Sequence, residues 1–370
     1  CYLFGVHKAT FYRLVWATLE QLDRYLPDMT LEHDVNNLER CRALAGGFNH
    51  RTGGKHMAGC IGALDGMALK IETPTTSENF HKYFCRKLFH AVSVQAVCDA
   101  DRRFTYLDMS QAGSTHDSTA WNAARTLDGS DRMGLRMANS EVMRAGCKIV
   151  APYGFFLVAD DAYRCCHTVV VPWSSAGART FEDSFNHQQS RARINIECAF
   201  GMLMNKFLIF ARPLPWAFFK SPARTDDYSK PLLLLRVAMK IHNACIDAHL
   251  DEDPVHASDF FGGYDTASAR AEGAHRGQAQ TDPTLSSGRA HPDGSQAEPP
   301  TWTDEDAQAA LPPAYVQANS SKTRSVQIDD VCKARVYLTD QLASAGVHRP
   351  DAEALAAAMR DAKKRQRTGA

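Results

Sequence analysis

Residues 89–110 read FHAVSVQAVCDADRRFTYLDMS, and this stretch decides the fold class. Phe89 to Asp99 and Phe104 to Ser110 are two runs rich in β-branched and aromatic residues. The four residues Ala100, Asp101, Arg102 and Arg103 join them, so the pair predicts a β-hairpin with a charged turn. Upstream, GCIGALDGMALKIE (59–72) is an apolar run with β-favouring ends. Downstream, FFLVAD (155–160) is five apolar residues ending in an acid, as a buried central strand requires, and VVVPW (169–173) is a further strand stopped by proline.

Helical spacing surrounds these strands. A helix-like stretch spans Ser118 to Leu127, and Asn186 to Phe207 carries Ile196, Phe200, Leu203 and Phe207 on one stripe. Pro231 to Leu250 is amphipathic. Near the start, Phe11, Leu14, Val15, Leu19, Leu22 and Leu26 recur at three- and four-residue spacing, which predicts a helix over Val6 to Leu26, opened after Gly5 and closed by Pro27. Strands followed by alternating strand and helix predict an α/β domain, a mixed sheet flanked by helices, over residues 55–250. A small helical segment, residues 1–50, precedes it. Its element GVHKATFYR is compatible with the second helix of a helix-turn-helix unit and with an ordinary core helix.

The chain of 370 residues carries 42 basic and 42 acidic side chains, a balance that by itself speaks against a nucleic-acid or membrane binder. The zero is a cancellation. Residues 1–250 hold 29 Lys and Arg against 24 Asp and Glu, a net of +5; residues 251–370 hold 13 against 18, a net of −5. Within the second part, residues 251–317 are rich in Gly, Ser, Ala, Pro and acid, with 3 basic against 12 acidic residues, and are expected to form a disordered acidic linker. Residues 318–370 regain helical pattern and end in the basic cluster Lys363-Lys364-Arg365-Gln366-Arg367, which suits a nuclear-import patch and a solvated helix end alike. No apolar run approaches a membrane span, so no membrane partner is expected. Eleven cysteines without a CxxC pair suit reduced thiols and exclude the obvious zinc ribbons. Residue 1 is Cys rather than Met, which points to a fragment or a processed chain, with targeting signals at a true N-terminus left unread.

Four acids stand where chemistry would need them. Asp65 ends the run Ile61 to Leu64 and precedes Gly66; Asp117 lies in the small-residue loop GSTHDS; Asp160 caps the FFLVA run; Glu197 lies beside the apolar stripe of its helix, one turn after Arg193. Carboxylates gathered from strand ends and a helix bind hard divalent cations such as Mg²⁺ through oxygen, and two such ions assist phosphodiester displacement. Without a metal, gathered carboxylates raise each other's pKa. Taken singly, each acid also reads as a turn cap, and Glu197 with Arg193 as a helix pair.

The words around these acids are recognisable. GCIGALDG, RKLFHAVSVQAVCDADRRFTYLDMSQAGSTHDS, LVADDAY, FNHQQSRARINIECAFGMLMNKF and RVAMKIHNACI resemble, in order, the blocks of PIF/Harbinger transposases and their domesticated nuclease relatives, from about Gly5 to Ile246. The resemblance implies a DDE-superfamily, RNase H-like fold with Asp65, Asp160 and Glu197 as the principal triad and Asp117 as a fourth metal-site acid. Between Asp160 and Glu197 lie 36 residues, an interval typical of that family. It further implies Mg²⁺ or Mn²⁺, double-stranded DNA as substrate, nuclear action (or the cytoplasm without a partner), a Myb-like partner that supplies DNA binding, and possible homo-oligomers. Ala159 stands where the family commonly has Gly, and Met204 where it often has Lys, which leaves open a domesticated, non-catalytic DNA- or chromatin-associated protein that keeps the fold.

Candidate phosphate contacts are Lys82, Arg86 and Lys87, interleaved with the rings of Phe80, Tyr83 and Phe84, then Arg191 and Arg193 before Glu197, and Lys206. A half-buried amphipathic segment is the other reading of residues 80–87. His116 beside Asp117 lacks the further histidines of an HD-type phosphohydrolase, and no GxxxxGK[ST] word supports an ATPase behind FFLVADD.

Overall fold

The computed structural model describes residues 5–54, 57–75, 77–127, 129–144, 154–174, 176–177, 179–220, 227–248 and 326–349. The acidic stretch 251–317 and the basic cluster 363–367 lie outside them. The elements in chain order are α1 (Lys8–Tyr25), α2 (Leu31–Asp34), α3 (Leu38–Arg51), β1 (Cys60–Lys70), β2 (Ala91–Cys98), β3 (Phe104–Ala112), α4 (Asp117–Ala123), α5 (Met133–Asn139), α6 (Glu141–Arg144), β4 (Phe156–Val158), β5 (Val169–Val170), α7 (Phe181–Lys206), α8 (Ser229–Asp247) and α9 (Val326–Ser344). The five strands form one mixed sheet in the order β3-β2-β1-β4-β5, with β2 and β3 antiparallel and β1, β4 and β5 parallel in succession. This is an RNase H-like sheet with helices on it. No helix of the described residues is long and apolar enough to cross a membrane.

The chain divides into two compact units, and β1 and α7 each run from one into the other. The first holds residues 1–36, 64–140 and 195–252. Its hairpin forms where the sequence places it. Asp99 Oδ1 accepts from the backbone N–H groups of Asp101 and Arg103, both at 2.9 Å, and closes the turn. Burial pushes the Asp99 carboxyl up to about 6, against those bonds and the Arg103 charge. Asn243 of α8 clips the start of β3, accepting from Phe104 N and donating to Phe104 O, each at 2.8 Å. The helix-like stretch 118–127 ends early, at Ala123. Arg125 N donates to Asp108 of β3 at 3.3 Å, and the Tyr106 hydroxyl donates to Arg125 O at 2.6 Å, so β3 captures the backbone before another turn can form.

The first helix also departs from its apolar pattern. No residue of α1 is fully buried, and Phe11, Leu14 and Val15 are exposed. Thr10, Trp16, Leu19, Leu22 and Asp23 are the half-buried positions, and α1 packs against α8. Trp16 meets Phe218 edge-on at 5.2 Å. Asp23 accepts from Arg236 Nε at 2.8 Å, and the buried ammonium of Lys240 donates to Asp23 O at 2.6 Å and pairs with Asp28. Burial alone would raise the Asp23 carboxyl, but the bonds and charges of Arg236 and Lys240 outweigh it and hold it low. A charge clamp adds to the half-buried Leu19 and Leu22 of the stripe in seating this helix.

The second unit holds residues 37–63, 141–194 and 253–370. Cys60–Ala63 of β1 pair with Phe156–Val158 of β4, and Leu157 and Val158 pair with Val169 and Val170 of β5. The helix α3 starts on Asn37, whose Oδ1 accepts from Arg40 N at 3.1 Å, and buries Cys41, Leu44, Ala45 and Phe48. The α9 helix packs on β5, the end strand of the sheet order. Trp173 is its anchor: the Arg335 guanidinium lies 3.8 Å from the indole centroid, the indole N–H donates to Thr339 Oγ1 at 3.1 Å, and Arg335 donates to Pro172 O at 3.0 Å. Beyond α9, Arg349 N donates to Ser184 Oγ and its guanidinium pairs with Asp183 at 2.8 Å, which ties the segment to the first turns of α7.

Candidate active site

Along β1 the burial pattern changes at Asp65. Cys60 to Leu64 are fully buried, whereas Asp65 to Ala68 are partly accessible, so the strand delivers its carboxylate where the core ends. Asp65 Oδ1 accepts from Gly66 N at 2.8 Å. Asp117 opens α4, behind His116, whose ring nitrogen accepts from Ser118 N at 3.4 Å. The Asp117 carboxylate lies against the backbone of Gly66. A Cβ at residue 66 would stand 2.3 Å from Asp117 Oδ1 and 2.9 Å from Gln95 Nε2. Only glycine admits that approach.

Gln95 completes this corner of the first unit. It is fully buried in the middle of β2, and its Nε2 donates to Asp117 Oδ1 and to Ser93 Oγ, each at 3.3 Å. An amide that donates to one carboxylate oxygen fixes the orientation of the group, the part that outer ligands play around metal-binding acids. Gln95 and Gly66 escape a reading of the sequence. The available signal is a lone amide inside the apolar run AVSVQAVC, with a glycine directly after an acid.

Glu197 is a half-buried residue of α7 in the same unit; the stripe beside it, Ile196, Phe200 and Leu203, is buried as expected. Asp160 belongs to the second unit. It stands two residues past the end of β4, and its Oδ1 accepts from Ala162 N at 3.0 Å. The preceding backbone is held firmly: Ala159 N donates to Val170 O at 3.1 Å, and Gln189 of α7 donates to Ala159 O at 2.6 Å. Among the described residues, no group of three or more His, Cys, Asp or Glu side chains is gathered in metal-holding geometry. The donors themselves are carboxylate oxygens, which suit Mg²⁺ or Mn²⁺ and not a soft metal.

The basic residues fall into two kinds. Lys82, Arg86 and Lys87 are exposed around a loop of the first unit. Arg191 instead faces the end of α3, where its guanidinium donates to Thr52 O at 3.3 Å and Arg51 O at 3.4 Å. Those are carbonyls at a helix C-terminus, which attract a cation, so Arg191 is engaged with backbone. Arg193 and Lys206 are half-buried positions of α7.

The chain matches no curated protein and no solved structure. A family model described as DDE superfamily endonuclease matches residues 64–245, a range that takes in Asp65, Asp117, Asp160 and Glu197. Over that range the chain is similar to DDE-transposase-like nucleases.

Proposed function

We propose that this chain is a Harbinger-type, divalent-metal-dependent DNA endonuclease or transposase, with Asp65, Asp160 and Glu197 as its catalytic acids and Asp117 as a fourth metal-site carboxylate. The observation that carries the reading is the approach of Asp117 to Gly66 beside Asp65, which joins two of the four acids at a position where any side chain would intrude. Asp65, Asp117 and Asp160 each have one oxygen held by an N–H donor, from Gly66, Gln95 and Ala162 respectively, so each carboxylate is oriented before any ion arrives. When bound, Mg²⁺ or Mn²⁺ supplies activation of a water or a 3′-hydroxyl and neutralises the phosphodiester's developing charge. The protein's own contribution is positioning and electrostatics rather than proton transfer by a side chain. Nuclear action, a Myb-like partner and self-association belong to the same reading and rest on the resemblance.

Nicking of supercoiled plasmid in Mg²⁺ or Mn²⁺ tests this. The unaltered chain converts plasmid to the open circle, and Asp160→Asn and Asp65→Asn do so at least ~10²-fold more slowly. Equal rates in the variants would overturn the assignment of the acids. Absence of nicking with either ion would favour a non-catalytic protein that retains the fold.

A further inference from the structure

The loop between β1 and β2 carries an arrangement that the acids do not use. Cys85 N donates to Phe89 O at 2.9 Å and Leu88 N to Cys85 O at 3.0 Å, which closes Arg86, Lys87 and Leu88 into a three-residue hairpin tip. The last residue of such a tip takes the left-handed conformation, where glycine is the low-cost choice. Here it is Leu88, at φ +64°, and its side chain is 79% exposed. A branched apolar residue thus holds a strained backbone and faces water. Folding gains nothing visible from either.

Its surroundings identify what it would meet. Lys82, Arg86 and Lys87 are exposed, residues 79–90 contain no acid, and none of the three cations is held in an ion pair among the described residues. Two large rings lie in the same loop, Phe80 at 53% and Phe84 at 45% exposure. Protein-facing patches are depleted in Lys, whereas unopposed cations around apolar tips match phosphates flanking stacked bases. The loop is firmly mounted. Tyr83 is buried with its hydroxyl 3.1 Å from that of Tyr228, and Lys82 O accepts at 3.0 Å from Ser114 N, three residues before Asp117.

We propose that Leu88 is a wedge that enters the base stack of bound duplex DNA, with Lys82, Arg86 and Lys87 on the adjoining phosphates and Phe80 and Phe84 beside the opened step. The proposal rests on the DNA-nuclease reading and adds to it that the enzyme distorts its substrate. Entering the stack is the event that buries Leu88, and a step that is already weakened opens at lower cost.

The experiment uses the full chain carrying Asp160→Asn, so that DNA stays intact, and 30-base-pair duplexes with 2-aminopurine beside a matched or a mismatched step. With Leu88 present, binding raises 2-aminopurine fluorescence, and the mismatched duplex binds roughly tenfold more tightly than the matched one. Leu88→Asn keeps a residue that tolerates positive φ, so it folds at least as well, and it loses both the fluorescence rise and the mismatch preference. Leu88→Phe retains them. Arg86→Gln and Lys87→Gln each lower the slope of log affinity against log salt by about one and leave the mismatch preference in place. Equal fluorescence and preference in Leu88→Asn would sink the wedge even if the unaltered chain nicks plasmid, leaving the nuclease reading intact. A chain that binds no DNA would overturn both.

Discussion

Adding one methyl group at residue 66 perturbs the candidate site at its tightest point. The Cβ of Gly66→Ala would stand 2.3 Å from Asp117 Oδ1, 2.9 Å from its Cγ and 2.9 Å from Gln95 Nε2, whereas ordinary contact begins near 3.4 Å. The carboxylate must therefore retreat by about 1 Å, and because it opens α4 it does so by leaving Gln95 or by tilting the helix. A 1 Å misplacement of a positioning group costs on the order of 10²-fold in rate. The same crowding costs about 1–3 kcal/mol of stability, offset by about 0.5–1 kcal/mol because alanine suits a strand better than glycine. Urea unfolding of Gly66→Ala, Asp117→Ala and the double variant reads the contact directly. The double variant should recover most of the Gly66→Ala loss, with a coupling of about 1 kcal/mol or more, since the tightest clash, with the Asp117 carboxylate, is gone and Gln95 Nε2 lies at the end of a flexible side chain. Mn²⁺ titration followed by electron paramagnetic resonance should show at least ~10-fold weaker binding in Gly66→Ala. Additive stabilities together with unchanged Mn²⁺ binding would refute the reasoning.

Further outcomes follow from other contacts. With its folded pKa raised by burial, Asp99 contributes stability that is complete below about 3.8 and lost as pH rises through about 6. Asp99→Asn, which keeps an Oδ1 acceptor for the turn, should flatten stability across that window and raise it at pH 7 by on the order of 2 kcal/mol, measured by urea unfolding. Arg191→Ala removes the cation at the end of α3 and should cost about 1 kcal/mol while leaving the salt slope of DNA binding unchanged; a slope lowered by about one would instead place Arg191 on a phosphate. Trp173→Ala removes the anchor of α9, so trypsin should cut after Arg335 far faster than in the unaltered chain while α7 stays protected.

The hairpin was legible because its information is local: two β-rich runs and a four-residue turn whose Asp99 side chain bonds to backbone only two and four residues on. The buried strand before Asp160 and the stripe of α7 were legible for the same reason. Residues 1–50 were legible as helical but not where α2 and α3 begin and end, and α5 and α6 were not legible, since these helices are short or lack a strong apolar stripe. The stripe of α1 marked the helix correctly but not its buried face: Phe11, Leu14 and Val15 stay exposed, whereas Leu19 and Leu22 are half-buried and charges on residues more than 200 positions away join the contact with α8. The candidate site divides likewise. Its acids sit in short words that sequence reveals, but Gly66, Gln95 and Asp117 meet only through pairing of distant strands.

The mounting of α9 on β5 sets an order of events during synthesis. Residue 170 of β5 leaves the ribosome 179 residues before Arg349, which ties the last described segment down. At roughly 5–20 residues per second, that is a wait of about 10–35 s with the end strand uncovered. An open strand edge is a template for pairing with other chains. The nascent protein therefore passes through a period in which its end strand is open to pairing with other chains. Ending the gene before residue 326 would make that period permanent.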